Sequence, residues 1–331
     1  MAEYIPSDKR YETMKYRRSG ESGMQLPVVS LGLWHNFGSI NDYDVYSKTA
    51  FTAFDNGVIH FDLANNYGPV FGSAETNFGK ILRNGLGAYR DELIISTKAG
   101  YNMWKGPYGE WGSRKHLIAS LDQSLKRMGI EYVDIFYSHR YDPNTPLEET
   151  MGALSDMVRQ GKAIYAGLSN YSGEVLEKAL AILKANGTPC ILEQSKYSML
   201  FRNVETDTLP VLEREKVGMI AFSPLAQGLL TDRYFNGIPA DSRMSRGIFL
   251  KPEMLTEQMM AKLTALNGIA ERRGQTLSAM ALGWVLRDER VTSVLIGASS
   301  PEQLKQNLKA VDTPAFDAEE LKEIDKILGG A

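Results

Sequence analysis

Residues 113–168 read SRKHLIASLDQSLKRMGIEYVDIFYSHRYDPNTPLEETMGALSDMVRQGKAIYAGL. At the start of this stretch Leu117, Leu121, Leu125 and Met128 recur at helical spacing. Ser113 stands where an N-cap belongs, and Gly129 can end the helix in a left-handed turn. A β-rich run, Val133 to Tyr137, follows directly. The order then repeats. Pro146 to Gln160 carries Leu147, Met151, Leu154 and Val158 on one stripe, Gly161 stops it, and Ala163 to Leu168 is again β-rich. Helix and strand in alternation require parallel strands, because a tight hairpin cannot join two strands that run the same way.

The same unit extends in both directions. Further β-rich runs lie at Val28 to Leu33, Val58 to Leu63, Leu93 to Thr97, Cys190 to Gln194, Gly218 to Phe222 and Ser293 to Ile296, so the chain holds eight. Eight units close into a (β/α)₈ TIM barrel more naturally than they extend an open sheet, and residues 1–331 are expected to form a single domain. Two stretches break the repeat. Met14 to Arg18 and Met24 to Pro27 flank Ser-Gly-Glu-Ser-Gly, which predicts an N-terminal β-hairpin over about 14–27 that could plug the barrel floor. After the seventh run the spacing doubles, which leaves a long loop at 227–252, an extra helix at Thr256 to Arg273, and room for extra C-terminal helices. Long barrel loops usually serve function, and this one carries Arg233, Arg243, Arg246 and Lys251.

Composition narrows the class of partner. The chain has 331 residues, 43% apolar and 23% charged, with a net charge of -3, which excludes disorder and fibre. Neither sign is concentrated, so no nucleic-acid or anionic-membrane surface is expected and a small molecule is the default ligand. The single cysteine, Cys190, cannot form an internal disulfide, and four histidines show no zinc-ligand spacing. With no apolar leader and no long apolar window, a metal-free protein of the cytoplasm is expected.

In a barrel the C-terminal strand ends carry the chemistry. Here the second run ends in His60-Phe61-Asp62-Leu63-Ala64-Asn65-Asn66-Tyr67-Gly68, the third in Ser96-Thr97-Lys98, and the fourth in Tyr137-Ser138-His139-Arg140. A lysine beside a tyrosine stabilises the phenolate, a carboxylate such as Asp62 would hold that lysine, and a neutral His139 can orient a carbonyl oxygen. Together these groups could protonate an oxygen while two electrons reach the carbon, which is carbonyl reduction by hydride transfer.

With those residues in view, the sequence resembles the aldo-keto reductases from Tyr16 to Leu328. Six motifs carry the likeness in order: FDLANNYG at 61–68, STK at 96–98, His139, GLSN at 167–170, FSPL at 222–225 and IGAS at 296–299. The resemblance implies a catalytic set of Asp62, Tyr67, Lys98 and His139, with Tyr67 the general acid. It also implies a barrel-top site for NADPH. Ser169, Asn170 and Gln194 would meet the nicotinamide amide, Phe222 would stack on the ring, and Asp62 and Trp34 would border it. Ser223, Leu225, Gln227, Gly228, Leu230 and Arg233 would line the pyrophosphate. Gly297, Ser299, Gln303 and Asn307 would hold the phosphate and adenine end. Many members carry arginine where Gln303 stands, and here Arg233 and Arg243 could reach the 2′-phosphate instead. No G-x-G-x-x-G or Walker A motif offers a competing nucleotide site.

Three further stretches, 31–38, 106–115 and 236–243, resemble the bacterial L-glyceraldehyde 3-phosphate reductase group, related to potassium channel β-subunits. That likeness implies reduction of L-glyceraldehyde 3-phosphate, methylglyoxal and similar small aldehydes to alcohols, and a homo-oligomer, tetramer or larger. Trp34, Trp104 and Trp111 are expected to line the aldehyde pocket beside Tyr67 and His139. Arg140 is expected near the substrate phosphate, against the simpler reading of an ion pair with Asp142 or another loop carboxylate. The alternative is a redox-sensing, cofactor-binding partner subunit. A two-carboxylate barrel hydrolase would need Glu110 and Glu193, but Glu193 lies inside the sixth run and Glu110 in a loop.

Overall fold

Eight parallel strands close on themselves in the computed structural model, which describes residues 4–235, 237–239, 244–245 and 250–329. A two-stranded antiparallel sheet comes first, β1 (Tyr16–Arg18) and β2 (Gln25–Pro27). The barrel strands are β3 (Val29–Gly32), β4 (His60–Asp62), β5 (Ile94–Ala99), β6 (Val133–Ser138), β7 (Ala163–Ser169), β8 (Cys190–Lys196), β9 (Gly218–Phe222) and β10 (Val291–Ile296). Each pairs with the next in sequence, and β10 closes the ring against β3 with Val294 opposite Val29. All eight β-rich runs of the sequence are barrel strands, and the fold is the expected TIM barrel with its hairpin.

Helices α1 (Tyr43–Asp55), α2 (Ser73–Arg83), α3 (Arg114–Met128), α4 (Leu147–Arg159), α5 (Gly173–Ala185) and the short pair α6 (Val204–Asp207) and α7 (Leu209–Glu215) connect successive strands. In α3 the Ser113 hydroxyl accepts the His116 N–H, and Gly129 ends the helix at φ 71°. The expected extra helix is α8 (Glu257–Arg272), capped by the Thr256 side chain. It is followed by α9 (Leu277–Leu286), whose sequence LSAMALGWVL is apolar on every side and buried except at the half-buried Ser278. A helix without a polar face shows no stripe, so its period was not readable. The chain ends in α10 (Pro301–Leu308) and α11 (Ala318–Leu328). Within the long loop the described residues form short 3₁₀ turns at Asp232–Tyr234 and Pro252–Met254, whereas Arg243 and Arg246 lie outside the described residues.

The hairpin closes the end of the barrel opposite the site. Leu26 and Met24 pack with Ile94, Ile135, Ile191, Leu192 and Ile220 on the floor. Its turn is held by the Ser19 hydroxyl, which donates to the Ile191 carbonyl at 2.6 Å. Gly20 has φ +53°, and a Cβ there would lie 1.9 Å from the Lys216 carbonyl oxygen, so only glycine fits. Among the described residues no helix is long and apolar enough to cross a membrane.

Candidate active site

Alternation along the strands decides which side chains meet. In β4, His60 and Asp62 point into the barrel while Phe61 packs outward on Phe78 of α2. In β5, Ser96 and Lys98 point in, and Thr97 points out to donate to Glu75 at 2.6 Å. Because β4 and β5 pair with Asp62 opposite Ser96, Asp62 and Lys98 reach the same level. The Lys98 ammonium lies 2.5 Å from Asp62 Oδ2, donates to the Leu63 carbonyl at 2.7 Å, and lies 3.4 Å from the Tyr67 hydroxyl. Asp62 Oδ1 accepts from the Ser96 hydroxyl at 2.6 Å and from the Gln194 amide at 3.2 Å. Neither charged side chain has any solvent exposure.

Tyr67 stands above this pair, its backbone turned by Gly68 at φ +86°. Its ring centre is 4.9 Å from the Lys98 nitrogen, 5.9 Å edge-to-face from His139 and 6.3 Å from Trp34. Burial raises the phenol pKa well above 10, helped by the nearby Asp62 carboxylate. At rest the Lys98 charge is matched by Asp62 at 2.5 Å, so desolvation wins and the Tyr67 hydroxyl keeps its proton. Burial also lowers the Lys98 pKa, with Asp62 opposing. His139 is held well below 6.5 by burial and then by Lys98 and Arg140, so its ring is neutral. The His139 Nδ1 is buried without a hydrogen-bond partner.

Neighbouring strand ends bring polar amides to the same rim. The Ser169 hydroxyl donates to the Gln194 carbonyl at 2.9 Å. Asn170, at φ +57°, donates its side-chain amide to the His139 carbonyl at 3.0 Å. Phe222 ends β9 half-buried, followed by a run in which Ser223, Ala226, Gln227 and Gly228 all have positive φ. Leu225 is half-buried, Leu230 is buried, and Gln227 Oε1 is buried without a partner. The Arg233 side chain is half-buried in the 3₁₀ turn that follows. At the start of α10, Gly297 and Ser299 are exposed. Gln303 Oε1 accepts both the Ser299 N–H at 2.7 Å and its hydroxyl at 3.0 Å, and Asn307 is buried.

The other expected substrate residues separate. Trp34 borders Tyr67 directly, whereas Trp104 packs on His116, 4.9 Å between rings. Trp111 lies under the Arg140 guanidinium at 3.5 Å. Arg140 also donates to the Gly100 carbonyl at 2.9 Å and pairs with Glu110 at 2.9 Å, so it braces the two loops that follow β5 and β6. Asp142 is engaged elsewhere, accepting from Gly112 and Thr145. Sequence reasoning missed Tyr101, whose ring meets His139 edge-to-face at 4.6 Å, and it missed His60 and Ser96. The signal for the last two was available, since each stands two positions before a singled-out residue on the same strand and so shares its face.

The Aldo/keto reductase family model matches residues 28–329. The chain belongs to the aldo/keto reductase family. Two curated relatives, both named L-glyceraldehyde 3-phosphate reductase, come from Escherichia coli O157:H7 and Escherichia coli strain K12. Each is 55% identical over 328 residues, which covers 98% of this chain and 95% of the relative. This aldo/keto reductase is therefore an oxidoreductase.

Proposed function

We propose that the chain reduces small aldehydes to alcohols with NADPH, and that Asp62, Tyr67, Lys98 and His139 carry out the proton chemistry. One observation carries this reading: a fully buried Lys98–Asp62 pair stands 3.4 Å from the hydroxyl of Tyr67, with a neutral His139 against the same ring. A phenol that stays protonated at rest is a stored proton donor. When the proton leaves, Lys98 lies close enough to take the new negative charge, in a site where water does not screen it. His139, neutral, can donate one hydrogen bond to the same oxygen without competing for the proton. Trp34 and Tyr101 flank this point and would shed water from it.

The coenzyme fit rests on the rim. Ser169, Asn170 and Gln194 offer the mixed donors and acceptors that a carboxamide needs, and Phe222 offers a ring face. The left-handed residues at 223–228 and the orphaned Gln227 oxygen suit a ligand lying along that loop toward Leu230 and Arg233. Ser299 and Gln303 at the start of α10, with Asn307 toward its end, would hold the far end. When bound, NADPH would supply the hydride to the carbonyl carbon, while the proton comes from Tyr67 Oη to the carbonyl oxygen.

The relatives' name points to L-glyceraldehyde 3-phosphate as substrate, and our reading adds methylglyoxal as a smaller one. We extend the reading to one domain over 1–331, a homo-oligomer of tetramer size or larger, and the cytoplasm. The test is direct. Purified protein is given each aldehyde with NADPH or NADH, and loss of the reduced-nicotinamide absorbance is followed. Turnover of short aldehydes with NADPH is expected, and no turnover of any aldehyde with either coenzyme would refute the proposal.

A further inference from the structure

A file of polar side chains runs up one wall of the barrel interior to Asp62. Ser293 of β10 meets Ser30 of β3, hydroxyl to hydroxyl, at 2.7 Å. Ser30 Oγ lies 2.9 Å from His60 Nδ1, and His60 Nε2 lies 2.9 Å from Ser96 Oγ. Ser96 then donates to Asp62 Oδ1 at 2.6 Å. Every member is completely buried. Below Asp62 the interior is lined largely by apolar side chains, Leu26, Ile94, Ile135, Ile220 and Leu295 among them. Four side chains that carry hydroxyls or an imidazole in such surroundings cost free energy unless each bond is made, and here each is.

The donor order is forced from the top. A carboxylate paired with Lys98 only accepts, so the Ser96 hydrogen points at Asp62. Ser96 Oγ must therefore receive a hydrogen from His60 Nε2. A neutral imidazole has one N–H, so Nδ1 accepts from the Ser30 hydroxyl, which in turn accepts from Ser293. The ring is neutral because burial lowers its pKa to about 4, with Lys98 pushing the same way and Asp62 opposing. All four hydrogens thus point toward the carboxylate, and bonds aligned in one direction strengthen one another.

We propose that His60 is a positioning residue for the reduction: locked as the Nε2–H tautomer, it aligns Ser96, and through Ser96 it fixes the carboxylate that holds Lys98 against Tyr67. The role in turnover rests on the proposed aldehyde reductase reading, whereas the tautomer does not. His60 touches neither substrate nor coenzyme in this scheme. Its effect reaches the reaction only through the orientation of Asp62.

Two measurements test it on the full-length protein. Side-chain ¹⁵N–¹H spectra of histidine-labelled protein, with His60 assigned by loss of its signals in His60→Gln, should show a protonated Nε2 and a bare Nδ1 from neutral pH down to about pH 5. An Nδ1–H tautomer, or an imidazolium at neutral pH, would overturn the proposal whatever the enzyme turns over. In kinetics, Ser96→Ala and His60→Leu should each lower kcat about tenfold, with KM for the aldehyde and Kd for NADPH within about twofold of wild type. His60→Gln, whose amide can both accept and donate, should recover most of that loss. If Leu and Gln at position 60 lose kcat alike, or if KM rises as kcat falls, His60 is packing only. Should the wild type reduce no aldehyde, the function proposed above fails, and the spectra still decide the wiring.

Discussion

The pair Lys98–Asp62 makes a prediction that separates stability from chemistry. Lys98→Met keeps the length and bulk of the side chain but leaves Asp62 buried, with only Ser96 and Gln194 as donors. Removing one partner of a fully buried ion pair costs about 3 to 5 kcal/mol. Asp62→Asn strands the ammonium with the Leu63 carbonyl as its one remaining close acceptor, for a loss of similar size. The double variant restores balance, because the amide oxygen at 62 still accepts from Ser96 and Gln194. What stays lost is mainly the bond to the Leu63 carbonyl, about 1 kcal/mol. Urea unfolding of all four proteins near neutral pH should therefore show a double variant at least about 2 kcal/mol more stable than the sum of the singles allows. The double variant should nevertheless lose aldehyde reduction by at least about a hundredfold, since no cation remains beside Tyr67. Raising the pH should stabilise Asp62→Asn relative to wild type, because the buried amine sheds its proton in the folded chain before the unfolded one does. A double variant that loses the full sum, or Lys98→Met as stable as wild type, would refute the reasoning.

Tyr67→Phe should lower aldehyde reduction at least about a hundredfold and leave NADPH binding unchanged by fluorescence titration, and retention of a tenth of the activity would assign the acid elsewhere. Gln303→Arg replaces an amide that folds back on Ser299 with a cation at the start of α10, and should tighten NADPH about tenfold while leaving NADH unchanged. Arg140→Ala should weaken turnover of glyceraldehyde 3-phosphate and methylglyoxal in parallel, because its partners are Glu110, Gly100 and Trp111. A selective loss on the phosphorylated substrate would make it a phosphate contact. Burial raises the Glu193 carboxyl from 4.5 to about 8, partly offset by its bond from Ser195. Between those values the folded chain holds a proton that the unfolded chain has lost, so this group's contribution to stability is full below about pH 4.5 and falls as pH rises through 8. The melting temperature of Glu193→Gln should accordingly gain on wild type from pH 5 to pH 9, and a constant difference would contradict the shift.

The barrel was legible because its strands and helices carry different periods. The run at 133–137 is β-rich and interrupted only by Asp134, and α3 shows a clean stripe between a serine cap and a glycine stop. α9 was not legible, since an all-round apolar helix carries no period. In the site, Asp62, Lys98 and Tyr67 were found because their types form a chemical unit, and the structure brings them together. The roles of the tryptophans were less readable. Whether an indole faces Tyr67, as Trp34 does, or its own loop, as Trp104 does, depends on loop paths that no local pattern encodes. The same holds for Tyr101, which reaches His139 only because β5 and β6 are neighbours. Desolvation was not legible either: residue types declare charges but not burial, and at Tyr67 burial outweighs a lysine already matched by Asp62.

The plug that seals the barrel floor also sets a clock on synthesis. Ser19 leaves the ribosome 172 positions ahead of Ile191, the carbonyl it binds, and Gly20 is seated against Lys216, later still. At about 5 to 20 residues per second the hairpin waits roughly 10 to 35 s before its seat exists. Over that interval Met24 and Leu26 have no floor to cover, and β3 keeps an unpaired edge until β10 emerges behind it. The nascent chain therefore carries its stickiest surface at the end made first, and holdase chaperones should crosslink most strongly to nascent chains stalled before β10 has cleared the exit tunnel.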